Sequence, residues 1–439
     1  MSTGLVRAIG RWSLVALMLN GVIGSSVFGL PSVLWGRLGA ASPWAWLIAA
    51  GAIGLIVACF AEVASRFEGA GGPYLYARVA FGRLAGIEMG WLAYLVRLTA
   101  SATNANLFVI YLGQFWPGAA GPVASRVVLA LVIIPLALAN VQGVRGGARV
   151  STVLLIVKLL PLATFALLGL ALAVPHPVAH PAAPVPALRD WLDVILILMF
   201  AYGGFESALV PLAEAKAPRR DAPFALGVTL LTCAFLYGSA QLVVNAALPD
   251  PAAGDRPLAA AAGAFLGPAG ATVLALAALV SVTGYLAGAM VNVPRLTFAM
   301  AEQGDLPAAF ARLHPVHRTP WLSILLFAAL VWCLAASSGF LQNLTLSAVS
   351  RLFTYGLVSA ALPVLRRRER QDPGLPAATL RLPAGPLLAL LGFLTSGLLA
   401  TRMSGRELVV MSVVLLLGLL HWYLRTRPSG EPHIPRQAE

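Results

Sequence analysis

Asn20-Gly-Val-Ile-Gly-Ser-Ser-Val-Phe-Gly29 lies inside an apolar run over residues 13–36. A run of about 20 apolar residues is long enough to cross a bilayer as a helix, and glycines at its centre weaken the helix there. Backbone that leaves the helix at membrane depth is tolerated only where it is buried in protein or lines a cavity. A second stretch of this kind, Phe200-Ala-Tyr-Gly-Gly-Phe-Glu-Ser207, interrupts the run over residues 190–214, five runs further on. Glycine-interrupted helices at matching places in two halves of a chain point to a transport protein built from inverted repeats. An unwound half-helix offers N–H groups to an anion and carbonyls to a cation, and an α-amino acid carries both ends. The alternative is that these small residues serve close helix packing.

The composition supports membrane-spanning helices throughout. Of 439 residues, 59% are hydrophobic and only 11% charged, against roughly 25% charged in a soluble domain. Twelve spans are expected, over residues 13–36, 44–65, 84–113, 124–141, 150–174, 190–214, 224–248, 270–300, 321–337, 343–365, 385–402 and 407–425. The net charge of +13 does not indicate nucleic acid, because the basic residues sit in short connections between apolar runs. With the N-terminus inside, 21 Lys and Arg fall on cytoplasmic segments and 6 on external ones, which predicts both termini in the cytoplasm. Arg7 and Arg11 precede an apolar stretch too long for a cleaved leader. Cys59, Cys233 and Cys333 all lie in apolar runs and read as packing residues. All six histidines lie in connections, at a span end or in the tail, so no metal-ligand pair or proton relay of histidines is expected at membrane depth. Pro175–Pro186 reads as an external loop that cannot be helical throughout. Asp250–Gly267 reads as a second external loop carrying a short surface helix.

Four stretches carry a family resemblance. Gly21-Val-Ile-Gly-Ser-Ser-Val-Phe28 resembles the first-helix signature of amino acid–polyamine–organocation (APC) permeases. Glu62-Val-Ala-Ser-Arg-Phe-Glu-Gly-Ala-Gly-Gly-Pro-Tyr-Leu-Tyr-Ala-Arg78 is similar to the loop between their second and third helices. Gly203-Gly-Phe-Glu-Ser207, followed by Ala217-Pro-Arg-Arg-Asp-Ala-Pro223, resembles their sixth helix and the loop after it. Pro294-Arg-Leu-Thr-Phe-Ala-Met-Ala-Glu-Gln-Gly-Asp-Leu-Pro307, with His314-Pro and Thr319-Pro320, resembles the loop after their eighth helix. The matches occur in order over roughly residues 10–370.

The resemblance implies an all-α fold of five-plus-five inverted repeats, with helices one and six broken, plus two accessory helices. Residues 13–365 would form the ten-helix transport core and 385–425 the accessory pair, with a cytoplasmic N-terminus (1–12), loop (366–384) and tail (426–439). It also implies that a substrate carboxylate lies on the backbone amides of Gly24, Ser25 and Ser26. The α-amino group would meet carbonyls near Ile23 and around Phe200, Ala201 and Gly203. Where the family commonly has Gly-Ser-Gly, this chain has Gly24-Ser25-Ser26, so substrate size does not carry over.

Ionisable groups at membrane depth are costly and so are functional candidates. Lys158, in Leu154-Leu-Ile-Val-Lys158-Leu-Leu-Pro161, is one of two lysines in a chain that otherwise uses arginine. Unlike arginine, it can release its proton. Its position resembles that of a fifth-helix lysine in proton-coupled members, where an ammonium takes the place of a sodium ion. The alternative is a lysine that snorkels to the nearer interface. Glu206 resembles a sixth-helix glutamate of basic amino acid and polyamine exchangers, where it would attract a cationic side chain or respond to protons. The alternative there is a gate hydrogen bond. Arg97 is expected to face the bundle interior, and Glu62 and Glu88 read as topology or gating residues.

The leading expectation is a secondary transporter of amino acids or related organic cations, in a bacterial inner membrane, coupled to protons by symport. The alternatives are an amino acid/polyamine exchanger, a sodium-coupled symporter, a channel or a substrate sensor. A sensor would be expected to add a signalling domain. A membrane enzyme is not favoured, since neither a catalytic constellation nor a phosphate loop is present. No cofactor is implied.

Overall fold

A computed structural model describes residues 9–69, 71–143, 147–181, 184–302, 304–372 and 376–425. Most of the expected N-terminal segment, the expected tail, and Arg7, Arg145, Arg427 and Arg436 of the charge count lie outside the described residues. The helices in chain order are α1 (Arg11–Val22), α2 (Ser26–Leu38), α3 (Ser42–Ala64), α4 (Pro73–Phe81), α5 (Arg83–Leu112), α6 (Pro122–Val141) and α7 (Gly147–Leu172). They continue with α8 (Leu188–Tyr202), α9 (Pro218–Ala247), α10 (Pro257–Glu302), α11 (Trp321–Ser337), α12 (Phe340–Gln371), α13 (Gly385–Ala400) and α14 (Gly405–Arg425). Helix occupies every stretch expected to span, and among the described residues there is no β-strand beyond one isolated bridge between Ile9 and Ala215. Among the described residues, seven helical stretches are long and apolar enough to cross a membrane, and α11 and α13 are apolar but shorter.

The bundle presents apolar side chains outward and keeps polar ones inside. Leu131, Leu160, Leu231 and Leu416 are each more than 60% exposed, whereas Ser25, Asn104, Gln241, Lys158 and Arg351 are buried. In water the outer leucines would be an aggregation liability; against lipid tails they are neutral, and the interior is where polar side chains find partners.

Several local expectations are modified. The connection after α3 is not a plain loop, since Pro73 at the first helical position starts α4. The helix over the tenth expected span continues to Gln371, because Arg366 reaches Glu62 and keeps the extra turn docked. The run after the sixth-span break does not return to an α-helix. It makes short turns of 3-10 type at Phe205–Ser207 and Leu212–Glu214, and Pro211 between them has no N–H to donate. The expected surface helix does form from Pro257, and Gly267, at φ 71°, kinks it into the long run of α10. Cys59 and Cys233 are buried, but Cys333 lies exposed on the outer face of α11 and is not a packing residue.

The chain leaves the helix at Ile23, whose ψ of 94° is extended, and resumes it at Ser26. The second departure is at Gly203 and Gly204. The two breaks meet backbone to backbone. A Cβ on Gly21 would come within 2.9 Å of the Gly204 carbonyl oxygen, and one on Gly204 would collide with the Gly21 carbonyl. Gly204 also has φ 123°, which L side chains rarely adopt. Gly204→Ala should therefore cost more than about 2 kcal/mol and lower the apparent melting temperature of the purified protein. Gly227→Ala, at a helical position with open space, should leave it unchanged or raise it.

Candidate functional site

At the first break, the carbonyls that lose their helical donors are taken by side chains from other helices. Lys158 of α7 is buried, and its Nζ donates to Asn20 O at 3.0 Å and to Ile23 O at 2.8 Å. The ammonium is thus held inside the bundle and not at a water-facing end. Tyr237 of α9 donates its hydroxyl to Val22 O at 3.3 Å. On the other side of the break, Ser25 and Ser26 are buried, and Ser25 Oγ has no hydrogen-bond partner among the described residues. Gly24 leaves little room: a Cβ there would stand 3.0 Å from Asn104 Oδ1 and 3.4 Å from the Tyr285 ring.

At the second break a carboxylate does the capping. Glu206 Oε2 accepts from the Gly204 N–H at 2.8 Å, and Ser207 Oγ donates to Gly204 O at 2.6 Å. Glu206 Oε1 accepts from Arg97 Nη2 of α5 at 3.0 Å and from Arg351 Nη1 of α12 at 2.9 Å. Tyr355 OH lies 3.4 Å from Oε2. Arg97 Nη2 also donates to Gly204 O at 3.3 Å. Arg351 lies over the Phe200 ring, its Cζ 5.5 Å from the centroid, and a Cβ on Gly203 would strike its guanidinium. Phe200 and Ala201 end α8 as buried residues, and Phe200 O already accepts from the Gly203 N–H at 3.1 Å. Two guanidiniums and one carboxylate thus share the bundle centre, an arrangement that is costly to break because each charge left alone is desolvated.

Ile23, Gly24, Ser25, Ser26, Phe200, Ala201, Gly203 and Glu206 therefore lie at two breaks that touch through Gly21 and Gly204, and Lys158 reaches the first of them from α7. Sequence reasoning placed Arg97 inside but named no partner; the partner is Glu206. It passed over Arg351, although an arginine within the run over 343–365 meets the same criterion that singled out Arg97. Asn104 and Tyr355 left no comparable signal, since neutral polar residues are common between packed membrane helices.

Charge pairs lie toward both ends of the bundle. At the end rich in arginine, Glu62 accepts from Arg366 at 2.6 and 2.5 Å, from Arg66 at 3.3 Å and from the Leu382 N–H at 2.9 Å. Asp305 accepts from Tyr74 at 2.8 Å and Arg83 at 2.9 Å. At the other end, Asp193 of α8 pairs with Arg402 at 2.7 Å and with Arg37, beyond the first break, at 3.4 Å. Glu88 packs against α14, where a Cβ on Gly418 would stand 2.5 Å from its carboxylate.

A family profile described as "Amino acid permease" matches residues 9–419. The methylthioribose transporter of Bacillus subtilis (strain 168) is 27% identical over 89% of this chain and 87% of its own. The branched-chain amino acid permease BcaP of the same strain is 24% identical over 97% of this chain and 94% of its own. Its serine/threonine exchanger SteT is 27% identical over 89% and 90%. With its two broken helices and a match over nearly its whole length, the chain belongs to the amino acid permease family of the APC superfamily.

Proposed function

We propose that this protein is a secondary active transporter that carries amino acids across a bacterial inner membrane by alternating access and proton symport. In this reading twelve spans form a five-plus-five inverted repeat with two accessory helices, and the arginine-rich end faces the cytoplasm. The substrate carboxylate lies on the amides of Gly24, Ser25 and Ser26, beside the Ser25 hydroxyl, which has no partner among the described residues. Its amine is received by the carbonyls that end α8, at Phe200, Ala201 and Gly203. Ile23 O, already bonded to Lys158, acts in this reading mainly as the link between the substrate site and the coupling group.

The observation that carries the reading is Lys158 on the carbonyls of the first break. A titratable ammonium there stabilises the same backbone that would bind substrate. When α1 moves relative to α7, Lys158 loses both acceptors, so its proton affinity differs between the two arrangements. Coupling needs only such a difference. The relative described as an exchanger keeps exchange as the second reading, which differs in whether the empty carrier returns.

Lys158→Met should abolish the response of uptake to an inward proton gradient, measured in proteoliposomes with the gradient imposed or collapsed and sodium absent. If variant and wild type respond equally, another group carries the proton. Gly24→Val should remove substrate-dependent thermal stabilisation, which at one hundred times Kd amounts to about 2.7 kcal/mol in a competent protein. Stabilisation that survives in Gly24→Val would move the carboxylate site elsewhere.

A further inference from the structure

Arg97, Ser101 and Asn104 stand at i, i+4 and i+7 on α5, a spacing that puts them on one helix face over about 10 Å. The face joins the two breaks, since Asn104 abuts Gly24 and Arg97 reaches Gly204 and Glu206. Along it, Ser101 Oγ and Asn104 Oδ1 are buried and have no hydrogen-bond partner among the described residues, and the same holds for Tyr285 OH beside Gly24 and Arg351 Nε beside Glu206. A buried polar atom left unpaired is destabilising, and a row of them is relieved by a polar guest.

The charge balance says what kind of guest. Glu206 supplies one negative charge to two guanidiniums, so the cluster holds one positive charge in excess. Lys158, at the first break, adds no anion. Arg351 is sealed in, but the Arg97 side chain remains 11% exposed, and both of its hydrogen bonds leave from Nη2. Among the described residues its Nε and Nη1 make no hydrogen bond. Either of these N–H groups can donate a single charge-assisted hydrogen bond to a carboxylate oxygen.

We propose that the substrate is an amino acid with an acidic side chain, whose side-chain carboxylate is received by Arg97 while Ser101 and Asn104 line its path from the first break. The proposal rests on the transport reading above and on its placement of the α-carboxylate at Gly24–Ser26. Glutamate or aspartate brings the anion that the cluster lacks. Arginine or lysine would bring a further positive charge toward two guanidiniums in a low-dielectric site, where like charges repel strongly. Glu206 is here a positioning residue that holds Arg97 and Arg351, and not the receptor of a cationic side chain.

The test is ligand-dependent thermal stabilisation of the purified full chain by glutamate, glutamine, alanine and arginine. Glutamate and glutamine have nearly the same shape and differ in charge. Wild type should respond to glutamate at a concentration at least tenfold lower than to glutamine, and arginine should not stabilise it. In Arg97→Gln the glutamate-over-glutamine ratio should fall to near one, while Arg97→Lys, which keeps the charge on a differently placed donor, should retain part of it. Arginine acting as well as glutamate, glutamine matching glutamate in wild type, or an unchanged ratio in Arg97→Gln would each overturn the proposal. Should Arg97→Gln not fold, the wild-type series and Arg97→Lys decide. Stabilisation by alanine or glutamine without glutamate removes this inference and leaves the transport reading standing; no stabilisation by any amino acid, together with no uptake, removes the transport reading itself.

Discussion

A helix that breaks inside a membrane exposes carbonyls and N–H groups to a medium that cannot hydrogen-bond them, and this constraint organises the centre of the protein. Asn20 O and Ile23 O are capped by Lys158, and Val22 O by Tyr237. The Gly204 N–H is capped by Glu206, and Gly204 O by Ser207 and Arg97. Each cap that comes from a different helix also fixes that helix against a break. Helices α5, α7 and α9 are thereby tied to backbone as well as to side-chain packing.

Charge enters as a consequence. A carboxylate is a strong acceptor for a freed N–H, but it cannot be buried alone, and the two arginines that neutralise Glu206 come from α5 and α12. The second break is thus tied to two further helices by the groups that make its burial affordable. The same logic works toward the bundle ends. There Glu62 joins α3 to α12 and to the strand of chain before α13, and Asp193 joins α8 to the connection before α14. The Asp193 pairs, part-exposed on both sides, are worth less than buried ones and are the easier to exchange, whereas Glu62 is as buried as Glu206. An alternating-access cycle, as proposed, needs ends that open more readily than the centre.

The close approach of the breaks makes two glycines matter for different reasons. Gly21 is needed because another backbone lies against it, whereas Gly204 is needed for that and for its positive φ. Gly24 lies in neither class, having no unusual φ; its demand is for space beside Asn104 and Tyr285.

Periodicity and composition were enough to reveal the helical fold, the apolar outer surface and both breaks, because lipid imposes length and hydropathy on each run separately. Glycine clusters marked the breaks from local sequence alone, since only the backbone's own freedom is at issue there. The short helix α4 and the irregular path after Gly204 were not legible, since they depend on proline placement and docking. Nor was the identity of partners. Lys158 was marked by rarity, but that it would grip Asn20 and Ile23 follows from helices 138 and 135 residues apart in sequence being packed together. Glu206 read by itself looks like an acceptor for cations; beside Arg97 and Arg351 it is already satisfied. The sign of the electric field in the site is a sum over three helices, and only the tertiary structure performs that sum.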